Sequence, residues 1–320
     1  MPSVKGLAAR LKGLADAARL YYPETLLRGV EAALTVPHRF VIFYGPPGAG
    51  KSQLVQLIAE ALPAELSLVP VEASWRDGAP LLGRYDEIRG IFLPGGLAAA
   101  AVRAAADPER FYVFALEEMA LGEPEGYLAT LLCGLDAQPP RLHLGFTGGG
   151  QGDAPGAAGG EAPLPPNLLF FGTICAQCGE KPLPRKLLDR AFLFELEFAD
   201  LDRFLARWDK PFPGRTPLLE IAGLLQGHGI SVGYRTFREI GAALAGAAQV
   251  GLAPDALLDQ LIKSRLLPLI GGDAAAVEDC LRDLVRLLSG DEVRFPATLD
   301  KAARMLEQLG LHGHTAAYFS

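Results

Sequence analysis

The chain has 320 residues, half of them hydrophobic and 21% charged, an ordinary globular composition with room for one large domain and a smaller one. Its formal net charge is −7, and the modest basic cluster Arg185, Lys186 and Arg190 is too small to grip a phosphate backbone unaided, so DNA contact is expected only through a partner. No apolar run reaches the roughly 18–20 residues of a membrane span, and Cys133, Cys175, Cys178 and Cys280 are too scattered for a disulfide framework.

In chain order, residues 3–34 carry apolar side chains at helical spacing on either side of Pro23, which predicts two helices packing on the main domain. Lys5, Arg10 and Lys12 interrupt the first of them, unlike the apolar stretch of a secretory signal, so a cytoplasmic location is the expectation. Phe40–Tyr44 reads as a buried strand, followed by a helix from Ser52 to before Pro63. Leu66–Val71 is a second strand, Gly96–Ala106 a helix stopped by Asp107-Pro108, Phe111–Leu116 a third strand, and Tyr127–Leu135 a helix. Residues 146–166 are rich in Gly, Pro and Ala and predict a mobile loop. Leu168–Ile174 and Phe192–Phe198 are strands four and five. Beyond about Asp200 the pattern is helical only, through Pro217–Gln226, Thr236–Ala248, Asp255–Leu267, Ala276–Leu288 and Thr298–Leu309. Alternating strands and helices imply an α/β domain with a parallel sheet covered on both faces, followed by an all-α domain. The expected divisions are 1–36, 37–200 and 201–320.

Gly45-Pro46-Pro47-Gly48-Ala49-Gly50-Lys51-Ser52 satisfies G-x-x-x-x-G-K-[ST] in full between a strand and a helix. The glycines let backbone N–H groups wrap around phosphates, and the helix N-terminus adds partial positive charge. Lys51 is expected to reach the β- and γ-phosphates, and the Ser52 hydroxyl to ligate Mg²⁺. The apolar run Phe111–Leu116 ends in Glu117-Glu118, where a P-loop enzyme places its Walker B pair. Glu117 then holds the metal shell and Glu118 polarises the attacking water. Glu117 stands where Asp is usual, one methylene longer.

In order, the P-loop, Ser74-Trp75-Arg76-Asp77, Leu81-Leu82-Gly83-Arg84-Tyr85, Glu117-Glu118-Met119-Ala120-Leu121, Pro165-Pro166-Asn167-Leu168, Gly172-Thr173 and Lys186–Ala191 together resemble AAA+ proteins related to McrB, the GTPase subunit of modified-cytosine restriction systems and a cousin of MoxR and dynein-related ATPases. Val232-Gly233-Tyr234-Arg235, Leu267–Gly271 and Gly310…Gly313-His314-Thr315 extend the likeness toward the end. The resemblance implies a P-loop AAA+ domain followed by a small α-helical lid. It implies that Arg190 is an arginine finger presented to a neighbouring subunit's γ-phosphate, with Arg185 the second choice, and that Arg235 contacts the nucleotide from the lid. For either arginine the bland alternative is a surface ion pair.

The departures bear on rate. Cys175 occupies a position where relatives carry Asn, Ala120 replaces a second Asn, and a thiol cannot orient water as an amide does. These positions and Glu117 imply slow hydrolysis, and they remove the argument for GTP, leaving ATP favoured. Cys175-x-x-Cys178 is half a zinc knuckle without a second half. His312 and His314 read as surface. The loop 146–166 either lines a ring pore or is a tolerated insertion. The expected function is an NTP hydrolase that assembles into a ring, with a hexamer as the expected form, and drives a McrC-like nuclease or another effector subunit in restriction or defence. The alternatives are a nucleotide-binding assembly module with weak or no hydrolysis, and a MoxR-like remodelling chaperone.

Overall fold

The computed structural model describes residues 2–38, 40–86, 88–89, 91–144, 160–176, 182–208, 212, 214–247, 251, 253–290 and 295–312. Among them, Phe40–Gly45 (β1) has no charged residue and buries its first four side chains, as a strand covered on both faces must. It pairs in parallel with Leu168–Cys175 (β8) on one side and Ala191–Glu195 (β9) on the other. Tyr112–Glu117 (β5) pairs in parallel with β8 and with Glu65–Pro70 (β2). The order β2-β5-β8-β1-β9 therefore inserts β8 between the strand that precedes the glycine-rich loop and the strand that ends in the two glutamates. The fold is α/β with a five-stranded parallel sheet among the described residues.

One face of the sheet carries Phe40, Ile42, Phe114, Leu116, Phe170 and Ile174, which join the buried side of Gly96–Ala106 (α5) in one core cluster. Alanines at Ala98, Ala100, Ala101 and Ala104 let α5 lie close to the strands. Asn167, 2% exposed, fixes the end of that helix. Its amide donates to the carbonyls of Ala104, Asp107 and Arg110 at 2.9, 3.0 and 2.7 Å. The helix after the loop, Lys51–Ala61 (α3), buries Leu54, Val55 and Ile58, and Arg10 on Leu7–Ala17 (α1) donates to Ala61's carbonyl at 2.9 Å. Glu31 on Glu24–Ala33 (α2) accepts from the N–H groups of Gly6 and Ala8 at 2.7 and 2.8 Å, capping α1.

Several elements differ from the sequence reading. The helix expected over Tyr127–Leu135 is two pieces, Pro124–Tyr127 (α6) and Ala129–Asp136 (α7). Proline at the first position starts α6 early. Ala79–Leu82 (α4) leads into a hairpin, Gly83–Asp86 (β3) and Ile91–Pro94 (β4). Glu161–Pro163 (β7), expected within a loop, pairs antiparallel with Arg141–His143 (β6), and Leu142, Leu144, Ala162 and Leu164 bury there. The rest of the glycine-rich stretch, residues 146–159, lies outside the described residues.

The chain forms two compact units, residues 1–18, 22–45 and 51–196, and residues 19–21, 46–50 and 197–320. Arg185–Leu188 (α8) closes the helices of the first. In the second, the segment from residue 197 is helical: Leu201–Ala206 (α9), Arg215–Gly227 (α10), Tyr234–Ala245 (α11), Pro254–Arg265 (α12), Ala274–Ser289 (α13) and Pro296–His312 (α14). Asp259 on α12 is buried against the start of α14. Its carboxylate accepts from the N–H groups of Ala297 and Thr298 at 2.8 and 2.9 Å and from the Thr298 hydroxyl at 2.6 Å. Among the described residues no helix is long and apolar enough to cross a membrane.

Candidate functional site

Gly45 ends β1 with φ +153, and a side-chain carbon there would fall 2.2 Å from the carbonyl oxygen of Leu196. Only glycine fits. Its own carbonyl accepts twice, from Ala176 N–H at 3.0 Å and from the Lys51 ammonium at 2.8 Å. The Lys51 side chain is 6% exposed, so a cation opening α3 is held inside the turn that the glycine makes. Ser52 follows it in the first turn, half-buried. Pro46, Pro47, Gly48, Ala49 and Gly50 group with the C-terminal unit. There the Ser231 hydroxyl donates to Pro47's carbonyl at 2.7 Å.

On β5, Glu117 and Glu118 are half-buried at the strand's carboxyl end. Glu118 adopts φ +50, a left-handed conformation that costs a non-glycine residue about 1–3 kcal/mol. Thr173 holds it there. Its hydroxyl accepts from Glu118 N–H at 3.1 Å, and its carbonyl accepts from Met119 N–H at 2.9 Å. Below the turn, the buried Tyr127 hydroxyl donates to Met119's carbonyl at 2.6 Å, and burial pushes that phenol above the ordinary tyrosine range. Sequence reasoning assigned Thr173 no role; its signal was a lone hydroxyl in an otherwise apolar strand.

Cys175, 4% exposed, pairs in register with Gly45 and shares a strand face with Thr173, two residues before it. Cys178 lies outside the described residues, as do Gly313, His314 and Thr315. No group of three or more His, Cys, Asp or Glu side chains converges as a metal site among the described residues. Oxygen donors such as Ser52 and Glu117 are the type that Mg²⁺ takes, one or two from protein and the rest from water and phosphate.

Arg190 lies elsewhere. It immediately precedes β9, and its carbonyl accepts from Phe40 N–H at 2.9 Å, so it sits at the amino end of β1 while Gly45 sits at the carboxyl end. Six residues of strand separate those levels by about 16 Å. Its guanidinium contacts Asp136 and donates to Lys186's carbonyl at 2.8 Å. Arg185 is exposed on α8 and lines a cleft of about 810 Å³ with Glu123, Glu125 and Lys186. Arg235 is exposed in the first turn of α11, two residues beyond Gly233.

A family model described as "Domain of unknown function (DUF8727)" matches residues 215–314, a stretch that begins at α10 and runs past α14. No curated protein matches the chain.

Proposed function

We propose that the chain is an AAA+ nucleoside-triphosphatase of the McrB-like kind, with ATP favoured over GTP, whose helical C-terminal unit serves as the lid. The observation that carries the reading is the complete glycine-lysine-serine motif on a strand–loop–helix, with the Lys51 ammonium buried on the Gly45 carbonyl. A buried ammonium beside a helix N-terminus favours an anionic ligand. The β5 carboxyl end, with Glu118 fixed by Thr173, supports a carboxylate positioned to polarise water. Ser52 and Glu117 would hold Mg²⁺, which supplies charge neutralisation on the phosphates.

Arg190's position supports a role in trans. At the far end of β1 from its own Gly45 it is out of reach of its own loop, so as a finger it would serve a second copy and exchange Asp136 for that phosphate. The proposed assembly is therefore a homo-oligomeric ring, a hexamer, driving a McrC-like nuclease or another effector in restriction or defence. The thiol of Cys175, level with Gly45, favours a second reading, an assembly module that binds nucleotide and turns it over little. Steady-state ATP and GTP hydrolysis, with and without the neighbouring gene's product, separates the two. Lys51→Ala is expected to abolish or severely weaken binding of a fluorescent ATP analogue. Equal affinity in mutant and wild type would overturn the P-loop reading.

A further inference from the structure

Within the C-terminal unit, Gly48 of the loop and Gly233, the residue capping the start of α11, touch backbone to backbone. A side-chain carbon built on Gly48 would lie 2.7 Å from Gly233 Cα, and one on Gly233 would lie 2.6 Å from Gly48 Cα and 2.9 Å from its carbonyl oxygen. Gly48 has φ +76, so its own conformation already calls for glycine. Gly233 is different. Its φ of −91° and ψ of 165° are ordinary extended backbone, open to any residue. The reason for glycine at 233 is the closeness of the loop. Two residues earlier, buried Ser231 spends its hydroxyl on Pro47's carbonyl at 2.7 Å. Pro46 and Pro47 have fixed φ and no N–H to donate, so at Pro47 it is the carbonyl that Ser231 holds.

The start of α11 is itself anchored. The Tyr234 hydroxyl accepts from Asp200 N–H at 3.1 Å and donates to Tyr21's carbonyl at 3.3 Å, and its ring lies 5.5 Å from that of Phe204. Burial raises the Tyr234 phenol above its ordinary value, so the hydroxyl stays protonated and keeps donating.

We propose that Ser231 and Gly233 are positioning residues for the phosphate loop, holding Pro47 and Gly48 so that the phosphate chain of a nucleoside triphosphate meets a preformed cradle. This rests on the P-loop reading above.

The test uses the full chain with four variants, Gly233→Ala, Ser231→Ala, Lys51→Ala and, as a control with open space around it, Gly223→Ala. Dissociation constants are measured for ATP, inorganic tripolyphosphate and adenosine, with thermal unfolding alongside. Gly233→Ala is expected to weaken ATP and tripolyphosphate at least tenfold and adenosine not at all. Ser231→Ala loses one hydrogen bond and should weaken the two phosphate ligands by roughly three- to tenfold. Gly223→Ala should bind like wild type. If Gly233→Ala fails to fold, Ser231→Ala decides. Wild-type affinity in both variants, with Lys51→Ala still dead, overturns the positioning role and leaves the P-loop reading standing. Equal weakening of adenosine and ATP also overturns it, since that is general damage. Failure of wild type to bind ATP or tripolyphosphate removes the P-loop reading and this role with it.

Discussion

Glu118 turns the chain through a left-handed conformation that few non-glycine residues hold, and the Thr173 hydroxyl from the neighbouring strand is the acceptor for its N–H. Thr173→Val keeps the shape of that side chain and removes the acceptor. Glu118 N–H then loses its partner, and the turn can relax. We expect little loss of ATP affinity and a fall in turnover of about 10²-fold, the scale that a misplacement near 1 Å produces. Unchanged turnover in a steady-state assay would show that Thr173 does not position Glu118. Cys175 sits on the same strand face, and its substitution runs in the opposite direction. In the proposed nucleotide site an amide there would hydrogen-bond phosphate and water where a thiol is a weak donor and acceptor, and a positioned donor at developing charge is worth about 10²–10³ in rate. Cys175→Asn should therefore raise turnover if the site is otherwise complete. Brisk hydrolysis by wild type and none gained by the variant would refute that reading.

At the level of elements, one buried carboxylate joins α12 to the start of α14 in the helical unit. Asp259 satisfies two N–H groups at the start of α14 together with the Thr298 hydroxyl, and Thr298 is fully buried. Asp259→Ala strands those donors at about 1–3 kcal/mol each, and the expected loss is about 3 kcal/mol of stability, read as a lowered Tm. Asp259→Asn keeps an acceptor and should lose less; equal losses would show that packing rather than hydrogen bonding matters. This contact joins residues that the sequence does not mark as related, and the same holds wherever the sequence reading stopped short. The strands β1, β5 and β8 and the helix α5 are legible because each is an uninterrupted apolar or periodic run. The Gly45–Ser52 loop is legible because its chemistry is contiguous. The hairpin of β3 and β4 and the short β7 are not, since three or four residues show too little period to separate strand from loop. The break at Leu128 escapes for the same reason. Neither the strand order nor the pairings Thr173–Glu118 and Gly48–Gly233 could be read, because pairing between distant segments leaves no local pattern.

For the whole molecule, the placement of Arg190 is the feature with the widest reach. Its guanidinium is mostly buried on Asp136 and Lys186, so its removal has two separable effects. Arg190→Ala frees Asp136 and should lower Tm modestly in the isolated chain. In a nucleotide-promoted oligomer it should also cut turnover while sparing ATP affinity, since an arginine supplied in trans is worth about 10³–10⁵ in rate. Light scattering with ATP and Mg²⁺ checks the premise. A monomer under those conditions, with the partner present, would leave Arg190 an ordinary ion pair.

The strand order also imposes a timetable on synthesis. Phe40 has no neighbour in the sheet until Phe170 and Ala191 have been made. At about 5–20 residues per second, this apolar strand of the nascent chain waits on the order of ten seconds with both edges bare. The loop that follows it exists as sequence throughout that interval but as a shaped turn only at its close, because Leu196, whose carbonyl crowds Gly45, is synthesised after both partners. A ribosome-bound chain that stops short of β9 should therefore be a client for holding chaperones and, on the P-loop reading, unable to retain ATP, with that competence arriving in a single late step.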